Sequence, residues 1–421
     1  MAQCNLLNTK VFREFHKPLI EVFSTCIQKR VCPELPDLKW LQLGISRVLL
    51  DAKSGRGFLQ QYSPWFKLKL CLQTFFASLK SKRRLALASE ANDKLALKVA
   101  GKIVDPLAQF EELRKFHVYA GDGHWHGASA HDERKDGRKW AAGHFYTLNM
   151  RSHALTHLEG ADQEGRKHEH DMRALKRAGW KGLRRNARIG EKVLIAWDSA
   201  SIDFGFWAQC KQQGGVYFIS RWKENLACEV FDCLPVDSNN AINHGVISEQ
   251  QIITNDQHVM RRIVCEDPEN GKIHTFVTNE MTLSAGILAQ IYRMRWDIEK
   301  VFDQIKNALR EQKAWAKSKT AKFVQAQMIC MAHNLCLLVE KEMEIHHGVT
   351  NEAEEERRNG RLKEMKKAAK AAGRKCSSVY DRVRRLTKRS VKFFRSLRTF
   401  LFLDEDLWQM AAYLRELYAR M

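Results

Sequence analysis

The sequence predicts a mixed α/β core that carries a β-rich insertion and is flanked by all-helical regions at both ends. Three observations predict it. Apolar residues keep a helical period to about residue 110, short strand-like runs alternate with helices to about residue 280, and helical spacing returns after Leu283. The 421 residues exceed one typical domain. The expected divisions are a helical region over 1–110, a core over 111–340 with an insertion at 221–280, and a basic helical region over 341–421.

In the first region Phe12, Phe15, Leu19, Phe23 and Cys26 recur at threes and fours. Breaks are expected at Pro33 and Pro36 and at the turn Ser54–Gly57. A second helical block carries Leu68, Leu72, Phe75 and Leu79 and runs into Lys80, Lys82, Arg83 and Arg84, giving the region basic ends. The character then changes. Phe116–Ala120 reads as a strand leading to Asp122, Gly143–Met150 and Ser152–Leu158 as a hairpin, and 168–186 as a basic helix. Lys192–Trp197 is a buried-strand run ending at Asp198, followed by a helix near Phe206–Gln213 and a strand at Val216–Ser220. Within 221–280, runs at Leu226–Phe231, Met260–Cys265 and His274–Thr278 are joined by turns such as Asn270-Gly271.

Composition narrows the partners. A formal charge of +21 attracts polyanions, because each neutralised phosphate releases counterions. Nucleic acid is the leading partner. A membrane is not expected: the longest apolar run, MICMAHNLCLLV, is interrupted by His333 and Asn334 and reads as a buried helix. With no secretory pattern at the N-terminus and 11 scattered cysteines lacking a C-x-x-C, the expectation is a cytoplasmic protein whose cysteines are mostly small core residues. From Arg361 to Arg398 there are 15 Lys or Arg against Glu364 and Asp381, interleaved with Val383, Leu386, Val391, Phe393, Phe394 and Leu397. That pattern predicts an ordered helix with one basic face, suited to DNA.

The most specific signal lies at Tyr292–Lys306. If this stretch is one helix turning about 100° per residue, Tyr292, Arg295, Glu299 and Lys306 share a narrow face. Met294, Ile298, Val301, Phe302, Ile305 and Leu309 fill the adjoining buried stripe. An i, i+4 pair of Arg295 with Glu299 explains two of the four polar residues and leaves Tyr292 and Lys306 unexplained.

This Y-x2-R-x3-E-x6-K spacing resembles the signature of a large group of bacterial insertion-sequence transposases of the Asp-Asp-Glu type. Phe276-Val-Thr-Asn-Glu, Leu283–Ile291 and Arg295-Trp296 also look like that group, and the likeness runs from about Asp122 to about Val339, with a looser echo at Ser54–Gln60. The resemblance implies a ribonuclease H-like core, Glu299 as the third acid of a catalytic triad, and two upstream strand-borne aspartates. Asp122 is the natural first, since its rivals Asp132 and Asp136 lie in a polar, turn-like stretch. Asp198 is the natural second, with Asp203 its competitor because Asp198-Ser-Ala-Ser-Ile-Asp203 departs from the compact Asp-x-Gly-[FY] pattern.

The chemistry implied is phosphodiester cleavage at transposon ends followed by strand transfer into target DNA. Two Mg²⁺ ions about 4 Å apart, with Mn²⁺ as substitute, would be held by Asp122, Asp198 and Glu299. Tyr292, Arg295 and Lys306 would grip phosphates of the DNA. A homodimer pairing two ends is implied, as is a bacterial, nucleoid-associated location. A catalytically dead DNA-binding relative and a nuclease that cuts without joining are the other readings. His124-x-His126 could ligate a transition metal but lacks partners at ligand spacing, and phosphate contact or solvation is the expectation. Trp125, Trp140 and Trp197 are expected in the core or at strand edges.

Overall fold

The structure, a computed structural model, describes residues 9–50, 54–67, 70–134, 137–161, 169–224, 226–350, 352–382 and 391–419. Asp136, Leu68, Val383, Leu386 and the start of the basic helix expected at 168 lie outside the described residues, as does the side chain of Val391.

Among the described residues nine strands form one sheet: β1 (Phe116–His126), β2 (Ala142–Asn149), β3 (Leu155–Gly160), β4 (Lys192–Ala196), β5 (Val216–Arg221), β6 (Cys228–Leu234), β7 (Val246–Thr254), β8 (Val259–Glu266) and β9 (Ile273–Thr278). Their spatial order is β3-β2-β1-β4-β5-β9-β8-β7-β6. β1, β2 and β3 form an antiparallel meander, whereas β1, β4 and β5 run parallel. The expected β-rich insertion is an antiparallel extension of this same sheet, joined where β9 pairs with β5.

The helices that precede the sheet are α1 (Lys10–Ser24), α2 (Asp37–Leu49), α3 (Gly55–Tyr62), α4 (Leu72–Ser78) and α5 (Lys82–Ala100). Between strands lie α6 (Asp171–Leu183) and α7 (Phe204–Gly214). The sheet is followed by α8 (Ala285–Met294), α9 (Asp297–Asp303), α10 (Lys319–His347), α11 (Glu352–Ala371), α12 (Val379–Arg382), α13 (Val391–Phe400) and α14 (Leu407–Ala419).

Strand alternation decides which residues enter which layer. Along β4, Val193 and Ile195 join a cluster with Met172, Leu175, Phe206 and Trp207 beneath α6 and α7. Leu194 and Ala196 turn the other way, into a larger cluster containing Ile298, Val301, Met328 and Leu335. The result is a parallel centre, β1, β4 and β5, covered on both faces, as parallel strands require, whereas the outer strand β6 is largely exposed.

α10 is the central helix of the larger cluster and packs against α1, α2, α5, α14 and β3. It is long and apolar enough to cross a membrane, yet 89% of its most apolar window is buried inside the protein. Asn334, fully buried at its centre, donates to Asn92 Oδ1 at 2.9 Å and to the Leu155 carbonyl at 3.0 Å. It also accepts from the Leu155 amide at 2.9 Å, so a polar group that would otherwise cost about 1–3 kcal/mol is satisfied.

Two sequence expectations change here. Arg83 and Arg84 are not a free basic end: both open α5 and grip the buried Asp37, at 2.6 and 3.1 Å. Of the ten described cysteines, five are buried and none forms a disulfide, so the core role holds for half of them.

Candidate active site

β1 and β4 are parallel neighbours in the register Ala120 opposite Ala196. Carried two residues past that last pair, the register brings Asp122, inside β1, level with Asp198, two residues beyond the end of β4, and Asp198 lies near enough to push the Asp122 pKa up. This is a switch point of the sheet: from β1 the chain builds β2 and β3 on one side, then returns to place β4 on the other. Asp122 shares its face of β1 with Val118 and Ala120, the face that α9 covers. Asp122 lies inside β1 rather than just after it, because β2 pairs with β1 as far as His126.

Asp198 follows β4 by two residues and caps the tight turn Ser199–Ser201, accepting from the Ala200 amide at 2.8 Å. Its carbonyl accepts from Ser220 Oγ at 2.7 Å, which ties the strand end to β5. Asp203, the competing residue, has other duties. It caps α7 through the Phe206 amide at 2.9 Å and pairs with Lys176 at 2.6 Å. Burial opposes ionisation of Asp203, but these two contacts outweigh it and lower its pKa. Asp132 is likewise occupied, by the Ser129 amide and by Lys322.

The expectation of one continuous helix from Tyr292 to Lys306 is corrected. The chain turns at Arg295 and Trp296 between α8 and α9, and residues 304–308 form a π-turn. The buried stripe nevertheless holds: Met294, Ile298, Val301, Phe302, Ile305 and Leu309 are all in the core. The turn lets Arg295 reach in two directions. Its Nη1 meets Asp122 Oδ2 at 3.3 Å and its Nη2 meets Glu299 Oε1 at 3.0 Å. Tyr292 packs its ring on Phe276, with centroids 4.8 Å apart, and the Arg295 guanidinium stands 5.8 Å from the Tyr292 centroid. Lys306 is exposed on the π-turn. Trp296, between Arg295 and Glu299, exposes 56% of its surface and offers a large ring to solvent, a feature hidden in the spacing pattern.

Electrostatics mark this cluster as charge-starved. Burial pushes the Asp122 carboxyl up to about 7; Arg295 and the Gly123 amide pull it down, while Asp198 and Asp171 push it further up. Asp171 is a fourth carboxylate that the sequence reading missed. It opens α6, its pKa is raised by burial, and it accepts from Trp197 Nε1 at 2.7 Å. Nothing in its local sequence marks it, because only the fold brings α6 back to the end of β4.

Among the described residues no three His, Cys, Asp or Glu side chains stand close enough to hold one metal ion as they lie. Arg295 occupies the place between Asp122 and Glu299. The donor set itself suits a hard divalent cation, since the acids gathered here offer carboxylate oxygens and Arg295 pairs with only two of them, Asp122 and Glu299.

The histidines are not solvated as expected. His124 stacks on Phe302 at 4.8 Å, and His126 is 2% exposed, its Nδ1–H donating to the Glu311 carbonyl at 2.9 Å. Behind them His144 and His157, both buried, share a hydrogen bond at 3.0 Å. Burial holds His124 down at about 3 and His126 at about 4, so both are neutral. The segment after α9 is also pinned to β1, by Gly127 and Gln312 at 2.7 Å. Trp197 is fully buried, and Trp125 and Trp140 are half-buried, as expected.

Residues 122–335 match the family described as Transposase DDE domain, and no curated protein matches the chain. That match begins at Asp122, takes in Asp198 and Glu299, and spans just over half of the 421 residues. The chain therefore belongs to the Transposase DDE domain family, with the transposase-type DNA cleavage and transfer that membership implies.

Proposed function

We propose that the chain is a cut-and-paste transposase of the insertion-sequence group that carries the Y-x2-R-x3-E-x6-K signature. In this reading Asp122, Asp198 and Glu299 are its catalytic carboxylates. The observation that carries it is a juxtaposition: Asp122 within β1, Asp198 just past the end of the adjacent parallel β4 and near enough to interact with it, and Glu299 tied to Asp122 through Arg295.

The three carboxylates would hold two Mg²⁺ ions, which supply activation of the attacking oxygen and charge stabilisation at the leaving one. Gathering the acids on cations requires the Arg295 guanidinium to give up its place between Asp122 and Glu299. Once displaced, Arg295 stays beside Tyr292 and can turn its fork to a DNA phosphate, for which a planar bidentate donor is well shaped. Tyr292 adds a hydroxyl donor. Lys306, already in solvent, adds a point charge along the backbone path.

Around this core, residues 1–110 and the 221–280 extension would recognise the terminal repeats. The basic region 341–421 would contact DNA by charge, and a homodimer would pair the two ends. Lys366 and Lys370 at the end of α11 and Arg374 just beyond it line an open cleft with Gly373 and Cys376.

The test uses a duplex carrying the inverted repeats that border the gene, incubated with Mg²⁺. The wild type is expected to cleave at the repeat ends and to join pre-cleaved ends to a target plasmid. Glu299→Gln should bind the same duplex and cleave at least 10³-fold more slowly. Cleavage that persists in Glu299→Gln would overturn the assignment; binding without wild-type cleavage would mark a catalytically dead relative, and cleavage without joining a simple nuclease.

A further inference from the structure

Trp197 links the two stretches of chain that carry Asp122 and Asp198. It immediately precedes Asp198, is completely buried, and lies flat against the backbone of Gly121, the residue before Asp122. The approach is so close that a Cβ built on Gly121 would stand 2.0 Å from two ring carbons of Trp197. No side chain other than glycine's hydrogen fits there. The indole also stacks on Phe145 of β2, with centroids 6.5 Å apart. The ring is therefore a wedge whose tilt sets the backbone at residues 121 and 198 together.

One polar contact fixes that tilt. Trp197 Nε1–H donates to Asp171 Oδ2 at 2.7 Å, a short bond. Asp171 is itself held firmly. Met172, Ala174 and Leu175 bury the first turn of α6. Arg177 ties that turn to the sheet by donating to the Gly160 carbonyl of β3 and to Glu169 Oε2, both at 2.8 Å.

We propose that Asp171 is a positioning residue of the site, acting through its hydrogen bond to the Trp197 indole to set Asp122 and Asp198 relative to each other. The inference rests on the reading of Asp122 and Asp198 as the catalytic pair. Asp171 acts here as an acceptor anchored on α6, and its charge is secondary. An amide oxygen can accept the same bond, and this separates positioning from direct ligation or charge.

The experiment compares Asp171→Asn, Asp171→Ala, Trp197→Phe and the double variant Asp171→Ala/Trp197→Phe. Each is checked for cooperative melting and for binding to the end duplex, then assayed for Mg²⁺-dependent cleavage. Losing a supporting partner of a metal-binding carboxylate costs about 10–100-fold. Asp171→Ala and Trp197→Phe should each fall by that factor. The double variant should be no worse than either, and Asp171→Asn should stay within about threefold of wild type.

An independent readout is the indole N–H resonance of Trp197 in ¹⁵N-tryptophan-labelled protein, identified by its loss in Trp197→Phe. It should move upfield in Asp171→Ala and stay near its wild-type position in Asp171→Asn. An Asp171→Asn variant as impaired as Asp171→Ala overturns the proposal in favour of a charge role. An Asp171→Ala variant that cleaves like wild type overturns any role. A wild type that cleaves nothing sinks instead the reading of the site on which the proposal stands.

Discussion

A methyl group at residue 121 would collide with a ring that has nowhere to go, since Trp197 is enclosed by Phe145, Asp171 and the strands themselves. Gly121→Ala should therefore destabilise the fold by about 1–3 kcal/mol, the usual cost of overpacking. It should also reduce cleavage more than its loss of melting temperature explains, because Asp122 and Asp198 are displaced along with the ring. Normal cleavage in a folded Gly121→Ala protein would contradict the close approach. Arg295 is the second residue with a dual contact. Its fork reaches Asp122 and Glu299 at once, and a lysine ammonium does not reproduce that geometry. Arg295→Lys should slow cleavage tenfold or more with little change in melting temperature; activity equal to wild type would show that a point charge suffices. The acids proposed for catalysis are the ones that the sequence itself singles out, because strand-type runs point to Asp122 and Asp198 and spacing points to Glu299. Asp171 was not legible, since its role depends on a return of the chain that leaves no local mark.

At the level of elements, periodicity locates β2 to β5 within a few residues, since each reads as an apolar run bounded by turns, whereas β1 runs six residues past its expected end because β2 pairs with it to His126. Spacing failed at the α8–α9 junction. The buried stripe continues across the turn at Arg295 and Trp296, so the apolar pattern gives no sign that the backbone has broken. The 221–280 segment read as strands, but its fusion to the main sheet comes from the pairing of Ile219 with Thr278, a long-range contact that local patterning does not encode.

α1 offers a test of element packing through pH. His16 is fully buried between Phe12 and Phe15, its Nδ1–H bonds to the Phe12 carbonyl at 3.0 Å, and its Nε2 has no hydrogen-bond partner. Burial lowers its pKa from 6.5 to about 3. A depressed folded pKa means that its contribution to stability is whole above pH 6.5 and is lost as pH falls toward 3, because the unfolded chain takes up the proton first. His16→Leu removes that loss. Its stability advantage over wild type should widen by roughly 1.4 kcal/mol per pH unit between pH 6 and 4. Melting curves that stay parallel across that range would contradict the burial of this imidazole.

Across the whole molecule, a charge of +21 sits on a fold in which several cations are already committed, Arg83 and Arg84 to Asp37 among them. The end of α11 is basic and exposed to solvent. Replacing Lys366, Lys367 and Lys370 by Gln should weaken duplex binding and reduce the slope of log affinity against log salt by roughly 2–3. An unchanged slope would place the DNA elsewhere.

The central claim concerns where cations sit. Crystals of the protein with end duplex, grown with Mn²⁺ and measured at the manganese absorption edge, test it directly. The account predicts anomalous peaks at ligand distance, about 2.1 Å, from carboxylate oxygens of Asp122, Asp198 and Glu299, with the Arg295 side chain moved toward phosphate. Manganese bound instead through Asp203, or through His124 and His126, would contradict it.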